Sequence, residues 1–177
     1  MLADDSNGFF VDGAGGDDGD AGTKAAPFAT IQKGVDEAEA VDGGLNVYIA
    51  AGTYNEDVTS TGASLFGGYE ASGWTRDPDA NVTTVNGQTT HGLQVTLNTD
   101  PVVVDGLVIN GKSSIPAACA GLAVGFAADV HISNNTLRGG NNVNMSAGLV
   151  AYQSLDITVV GNDIAGRNAN VDESYGA

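Results

Sequence analysis

The feature that most constrains this chain is an internal repeat. Three segments superimpose without gaps: 102–111 (VVVDGLVING), 130–139 (VHISNNTLRG) and 157–166 (ITVVGNDIAG), offset by 28 and 27 residues. Each sets apolar residues two apart, turns at a Gly/Asn corner, places one more apolar residue and closes on glycine. A second register, Leu65, Leu93, Leu122 and Leu149, steps by 28, 29 and 27 residues, and Gly92, Gly121 and Gly148 precede the last three. Self-similarity at such a period marks a solenoid, in which each unit buries its apolar face only against its neighbours.

The pattern within each unit selects the kind of solenoid. Apolar residues alternate in short runs with no 3.6-residue period, which excludes helical arrays. The several leucines per turn of a leucine-rich repeat are missing. A coil of 27–28 residues, built from three short strands and three corners, fits an all-β, right-handed parallel β-helix with equivalent residues stacked ~4.8 Å apart. The corners agree, because Asn134-Asn135 and Gly161-Asn162 fall at equivalent places. Glycine and asparagine tolerate the left-handed backbone that a sharp corner needs, and stacked asparagines can bond to one another along the axis.

The front of the chain breaks the pattern. Gly8-Phe-Phe-Val11 reads as a short strand, and residues 12–22 as an acidic glycine-rich loop. Phe28, Ile31, Val35 and Ala38 then make one apolar stripe at helical spacing, so a helix is expected over 27–41, with Pro27 in its first turn. An open solenoid end exposes core and strand edge, and this helix would cover it. The expected organisation is therefore one structural domain: 1–44 as strand, loop and capping helix, and 45–177 as coils. Gly176 falls 28 residues after Gly148, as though another coil were beginning, so the partners expected are further coils of a parent chain or a neighbouring copy receiving residues 1–11 on its open end.

Composition narrows the setting. Asp and Glu total 22 against six Lys and Arg, for a formal net charge of −16. Such a surface repels nucleic-acid phosphates and anionic lipid heads, and it either suits a saline, cation-rich extracellular or cell-surface location or serves solubility alone. The single cysteine, Cys119, cannot form an intramolecular disulfide, and its small apolar surroundings indicate a buried thiol. No run of about 18 apolar residues spans a membrane, and Met1-Leu2-Ala3 is too short for a signal peptide.

Candidate sites are few. Asp12, Asp17, Asp18 and Asp20 share the glycine-rich loop, whose carboxylate and carbonyl oxygens could wrap Ca2+ or simply face water. Asp129 and Asp156, one coil apart, should stack in one column. Lys112 and Arg167 share a column two coils apart, with Arg138 one residue off it between them. On an acidic protein that basic edge is where an anionic polysaccharide would dock, and a lyase would need such a base beside a cation. No acidic cluster flanks it, no carboxylate pair suits glycoside hydrolysis, and no residue is singled out as catalytic. His91 and His131 belong to different columns and read as surface residues. Trp74 and Tyr69 read as packing a loop against the coil rather than as a sugar-stacking patch.

The run Phe10-Val-Asp-Gly, Gly22-Thr23, Pro27-Phe-Ala-Thr-Ile-Gln32 and Val47-Tyr-Ile-Ala-Ala-Gly-Thr-Tyr54, followed by Gly67-Gly-Tyr69 and Trp74-Thr-Arg-Asp77, resembles the opening of bacterial right-handed β-helix proteins of the pectin-lyase-like superfamily. It is most similar to secreted members of unassigned activity. The resemblance implies the fold and leaves function open, since that superfamily spans lyases, glycosidases, tailspikes, adhesins and inert surface proteins. The function expected is a non-enzymatic structural module that stacks end to end or forms part of a longer solenoid. The alternative is a polysaccharide lyase or binding module acting on acidic glycans.

Overall fold

The structure is a computed structural model, and it describes residues 3–41, 45–98, 100–112, 118–141 and 145–166. Strand β1 (Gly8–Val11) and helix α1 (Ile31–Glu39) precede the coils. The first coil is β2 (Asn46–Ala50), β3 (Gly52–Tyr54) and β4 (Val58–Ser60), and the second is β5 (Ser64–Tyr69), β6 (Thr83–Asn86) and β7 (Leu93–Thr96). The third is β8 (Val102–Asp105), β9 (Val108–Asn110) and β10 (Ala118–Gly125), and the fourth β11 (Ala128–Ser133), β12 (Thr136–Arg138) and β13 (Met145–Tyr152). Strands β14 (Leu155–Val160) and β15 (Asp163–Ala165) open a fifth.

Every inter-coil pairing is parallel. The strands form three sheets: β1-β2-β5-β8-β11-β14, β3-β6-β9-β12-β15 and β4-β7-β10-β13. Inward side chains stack in columns because equivalent residues pair: Val47–Leu65–Val104–Ile132 in the first sheet, and Tyr54–Val85–Ile109–Leu137 in the second. All eight are buried, and each such side chain contributes about 1.5–3 kcal/mol through burial.

The third column is Val58–Leu93–Leu122–Leu149, which corrects the sequence register at its first member. Leu65 lies in another sheet, paired with Val47 and Val104. Between β5 and β6 the chain leaves the coil over residues 70–82, so the second coil is longer than the others. Counting back 28 residues from Leu93 therefore lands on the wrong sheet. The glycines before the last three members are required by close approach. A Cβ on Gly92, Gly121 or Gly148 would lie 2.7, 2.6 or 2.6 Å from the carbonyl oxygen of Asn110, Ile109 or Leu137.

The helix is shorter than the 27–41 that periodicity predicts. Thr30 is extended (φ −113°, ψ 147°), and its side chain accepts from the Lys33 N–H, so it is the N-cap. Upstream, the Phe28 N–H donates to Phe10 O (2.9 Å) while the Asp12 N–H donates to Phe28 O (2.8 Å). Phe28 thus bridges in parallel to Val11, and a residue so paired cannot also be helical. Ile31, Val35 and Ala38 are fully buried and join Val11, Val47, Ile49 and Val58 in the main core.

Candidate functional site

The side chains that could do chemistry are mostly engaged with backbone where the chain departs from regular coil. Asp18 Oδ1 accepts from the Ala29 and Thr30 N–H groups (both 2.9 Å), and Oδ2 from the Thr30 hydroxyl (2.8 Å). Glu56, from the β3–β4 turn, accepts from the Ile31 and Gln32 N–H groups at 3.0 Å each. Two carboxylates thus take the N–H groups of Ala29 to Gln32 leading into α1, and Thr30 Oγ1 takes that of Lys33. Burial, reinforced by the nearby Asp18, raises the Glu56 pKa even though those two N–H bonds pull it down. At the other end of the helix, Glu39 accepts from the Thr61, Gly62 and Ala63 N–H groups (2.6, 3.1 and 3.4 Å). Gln32 and Thr59 exchange a reciprocal pair of bonds (2.8 and 3.2 Å).

Of the loop carboxylates expected at a calcium site, Asp12 and Asp17 accept from the N–H two residues on (3.0 and 2.8 Å), Asp18 serves the helix, and Asp20 is exposed. Among the described residues no group of three or more His, Cys, Asp and Glu is arranged to hold a metal ion. Asp129 and Asp156 do occupy equivalent positions, since their neighbours pair in register. Both have left-handed backbones (φ 54° and 53°).

The basic edge is only partly visible. Arg138 forms an ion pair with Asp163 on the next coil, which holds the Asp163 carboxyl below its ordinary value. Lys112 is half-buried; burial opposes the ionisation of Asp57, but bonds from Thr89 and Gln88, with the Lys112 charge adding least, hold that carboxyl below its ordinary value. Arg167 lies outside the described residues.

The two histidines differ, contrary to the sequence reading. His131 is exposed, whereas His91 is half-buried and its Nδ1 accepts from the Ala120 N–H at 3.1 Å. Burial lowers its pKa. Cys119 is buried, as expected, and burial raises its thiol pKa.

A feature the repeat does not announce is the outer face of the first sheet. Phe10, Tyr48 and Phe66 pair in register as an outward-facing aromatic column. The 70–82 excursion folds back over it, so that Trp74 packs edge-on to Phe10 (4.7 Å, 75°) and Tyr69 edge-on to Tyr48 (5.4 Å). These residues form a second hydrophobic cluster, separate from the main core. Arg76 ties the excursion to the coil: its Nε donates to Gly67 O (2.8 Å) and its Nη2 forms an ion pair with Asp105. Asp105 also accepts from the Ser133 hydroxyl (2.5 Å) and the Asn134 amide (2.8 Å). Burial opposes its ionisation, but these bonds outweigh it and hold the carboxyl below its ordinary value. Among the cavities that flank the excursion, two meet Arg76. One, of about 300 Å3, is lined by Arg76, Pro78, Asp79, Asp105 and Asn134; the other, of about 360 Å3, lies beside Lys24, Tyr69 and Trp74.

Three parallel sheets stacked coil upon coil define the chain as a parallel β-solenoid, with a single short helix among the described residues. It belongs to the family described as "Protein of unknown function (DUF1565)", which it matches over residues 14–176. No curated protein and no solved structure matches it. Among the described residues no helix is long and apolar enough to cross a membrane.

Proposed function

We propose that the chain is a non-enzymatic structural module, an acidic extracellular or cell-surface rod lengthened by strand stacking on its open end. The observation that carries this reading is where the polar side chains are spent. Asn135 and Asn162, Arg138 and Asp163, and Asp105 with Ser133 and Asn134 all bond between coils rather than around a common space. Glu39 and Glu56 join the helix to the first coil in the same manner. Such bonds along the axis stiffen a solenoid.

The stacking surface is the last sheet edge. Among the described residues β14 ends the six-stranded sheet, and its Leu155, Val159 and Val160 are 70%, 43% and 56% exposed. Unpaired strand groups beside apolar side chains are a template for another strand, from further coils or from a neighbouring copy. Calcium binding by the 12–20 loop belongs to the same proposal, in which case a chelator lowers the melting temperature and calcium restores it.

Light scattering across concentration tests the assembly. Mass should rise for the intact chain and fall for Val160→Lys, which places a charge on the open edge. Equal masses at every concentration would remove self-stacking. Incubation with uronate polymers, followed by the absorbance of an unsaturated product, should show no turnover, and turnover would overturn the non-enzymatic reading.

A further inference from the structure

The cavity between the 70–82 excursion and the N-terminal segment has a chemistry of its own. It measures about 360 Å3 and is lined by Ala3, Lys24, Tyr69, Gly73, Trp74, Thr75 and Arg76. That volume lies in the range of small-molecule sites. Two of the chain's six basic residues face this one space.

Neither cation is fully satisfied. Lys24 Nζ lies 5.4 Å from the Phe10 ring centroid, and it makes no ion pair among the described residues. Arg76 commits Nε to Gly67 O and Nη2 to Asp105, leaving Nη1 without a hydrogen-bond partner among the described residues. Its side chain stays 30% exposed, with the guanidinium 5.8 Å from the Tyr69 centroid. The nearby carboxylates have their own donors: Glu70 accepts from the Ser72 and Thr75 hydroxyls (2.6 and 3.3 Å), Asp4 from the Ser6 hydroxyl and N–H (2.6 and 2.9 Å), and Asp5 from the Lys24 backbone N–H (2.8 Å).

The framework is rigid. Trp74 Nε1 donates to the Lys24 carbonyl (3.2 Å), joining the two walls, and the Trp74 ring is packed on Phe10. An aromatic wall carrying two underused cations is complementary to an anionic head on an apolar body. We propose that this cavity binds a small organic anion, its carboxylate or phosphate head between Lys24 and Arg76 and its apolar body against Tyr69 and Trp74.

Trp74 is the only tryptophan in the chain, so fluorescence excited at the red edge, where the five tyrosines do not absorb, reports on one wall of this cavity. The protein is titrated with benzoate, phenyl phosphate and uncharged benzyl alcohol. A saturable change is expected with an anion and not with benzyl alcohol at the same concentration, and comparison of the two anions identifies the preferred head. Lys24→Met should weaken the response about tenfold or more, the loss of one charge-assisted bond, while Lys24→Arg keeps it. No saturable change with either anion, an equal response to benzyl alcohol, or Lys24→Met titrating as wild type would each overturn the proposal. Should Lys24→Met not melt cooperatively, salt decides on the intact chain. Ionic strength of about 1 M must weaken anion binding, and salt-insensitive binding would refute the role of the two cations.

Discussion

Replacing Asn135 by alanine should remove the best-defined connection between coils. Asn135 is 2% exposed at the corner between β11 and β12. Its Oδ1 accepts from the Leu107 N–H on the coil before (2.9 Å), and its Nδ2 donates to Val104 O (2.9 Å) and to Asn162 Oδ1 on the coil after (3.0 Å). Alanine leaves the Leu107 N–H, at a residue 1% exposed, with no acceptor. An orphaned buried donor costs about 1–3 kcal/mol, and each of the two further lost bonds about 1 kcal/mol, so the total is roughly 3–5 kcal/mol. At about 2–4 °C per kcal/mol for a domain of this size, that corresponds to a fall of roughly 6–20 °C in melting temperature. Circular dichroism melts of Asn135→Ala and of His131→Ala, an exposed position on the same coil, provide the measurement and its control. The control should stay within about 0.5 kcal/mol of wild type. If Asn135→Ala melts with the control, the corner bonds do not couple the coils and the account of stiffness given above is wrong.

Ile31→Asp sets a charge against the apolar end of the first coil, where Ile31 is fully buried, and should cost several kcal/mol; an unchanged melt would mean the helix does not close the core. Asp105 has a folded pKa below its ordinary 3.8, so the stability it contributes is present above that value and is lost as the pH falls through the folded one. Asp105→Asn should therefore show a flatter acid limb in melts taken from pH 7 to pH 3, and an identical limb would contradict the depressed pKa. Cys119, 2% exposed, should react with a thiol reagent only at the rate of unfolding, and rapid labelling of the native chain would place it at the surface.

The coil was legible because inward columns repeat. Apolar residues two apart, then a corner, recur in 102–111, 130–139 and 157–166, and the structure pairs them in that register. The corner was legible too: Gly106, Asn134 and Gly161 all have left-handed backbones (φ 74°, 55° and 67°). A second left-handed corner was not, since Leu97, Phe126 and Gln153 (φ 52°, 51° and 47°) carry no turn signal. Local preference disfavours that backbone by about 1–2 kcal/mol per residue, and only the stacking of one coil on the next imposes it. A 28-residue step places Leu65 in the wrong column because the 70–82 excursion lengthens one coil. Phe28 fits a helical stripe and a strand equally well, and its pairing with Val11, distant in sequence, decides. Thr30 before the first buried helical residue was a cap signal that could have shortened the helix.

The acidic residues were the least legible because their partners are remote in sequence. As charge alone, 22 carboxylates describe a surface that repels phosphates. In place, Asp18, Glu39 and Glu56 satisfy backbone N–H groups at a helix start and in the turn between β4 and β5, and Asp57 does the same for Gln88 and Thr89 (2.6 and 3.0 Å). A regular coil satisfies its own donors through the ladders, whereas the helix, the turns and the excursion cannot. A carboxylate has lone pairs for several donors at once, as Glu39 shows with three successive N–H groups. The acidity is therefore partly structural, concentrated where the repeat is interrupted. That placement explains how a strongly charged chain keeps an irregular N-terminal third attached to a regular solenoid.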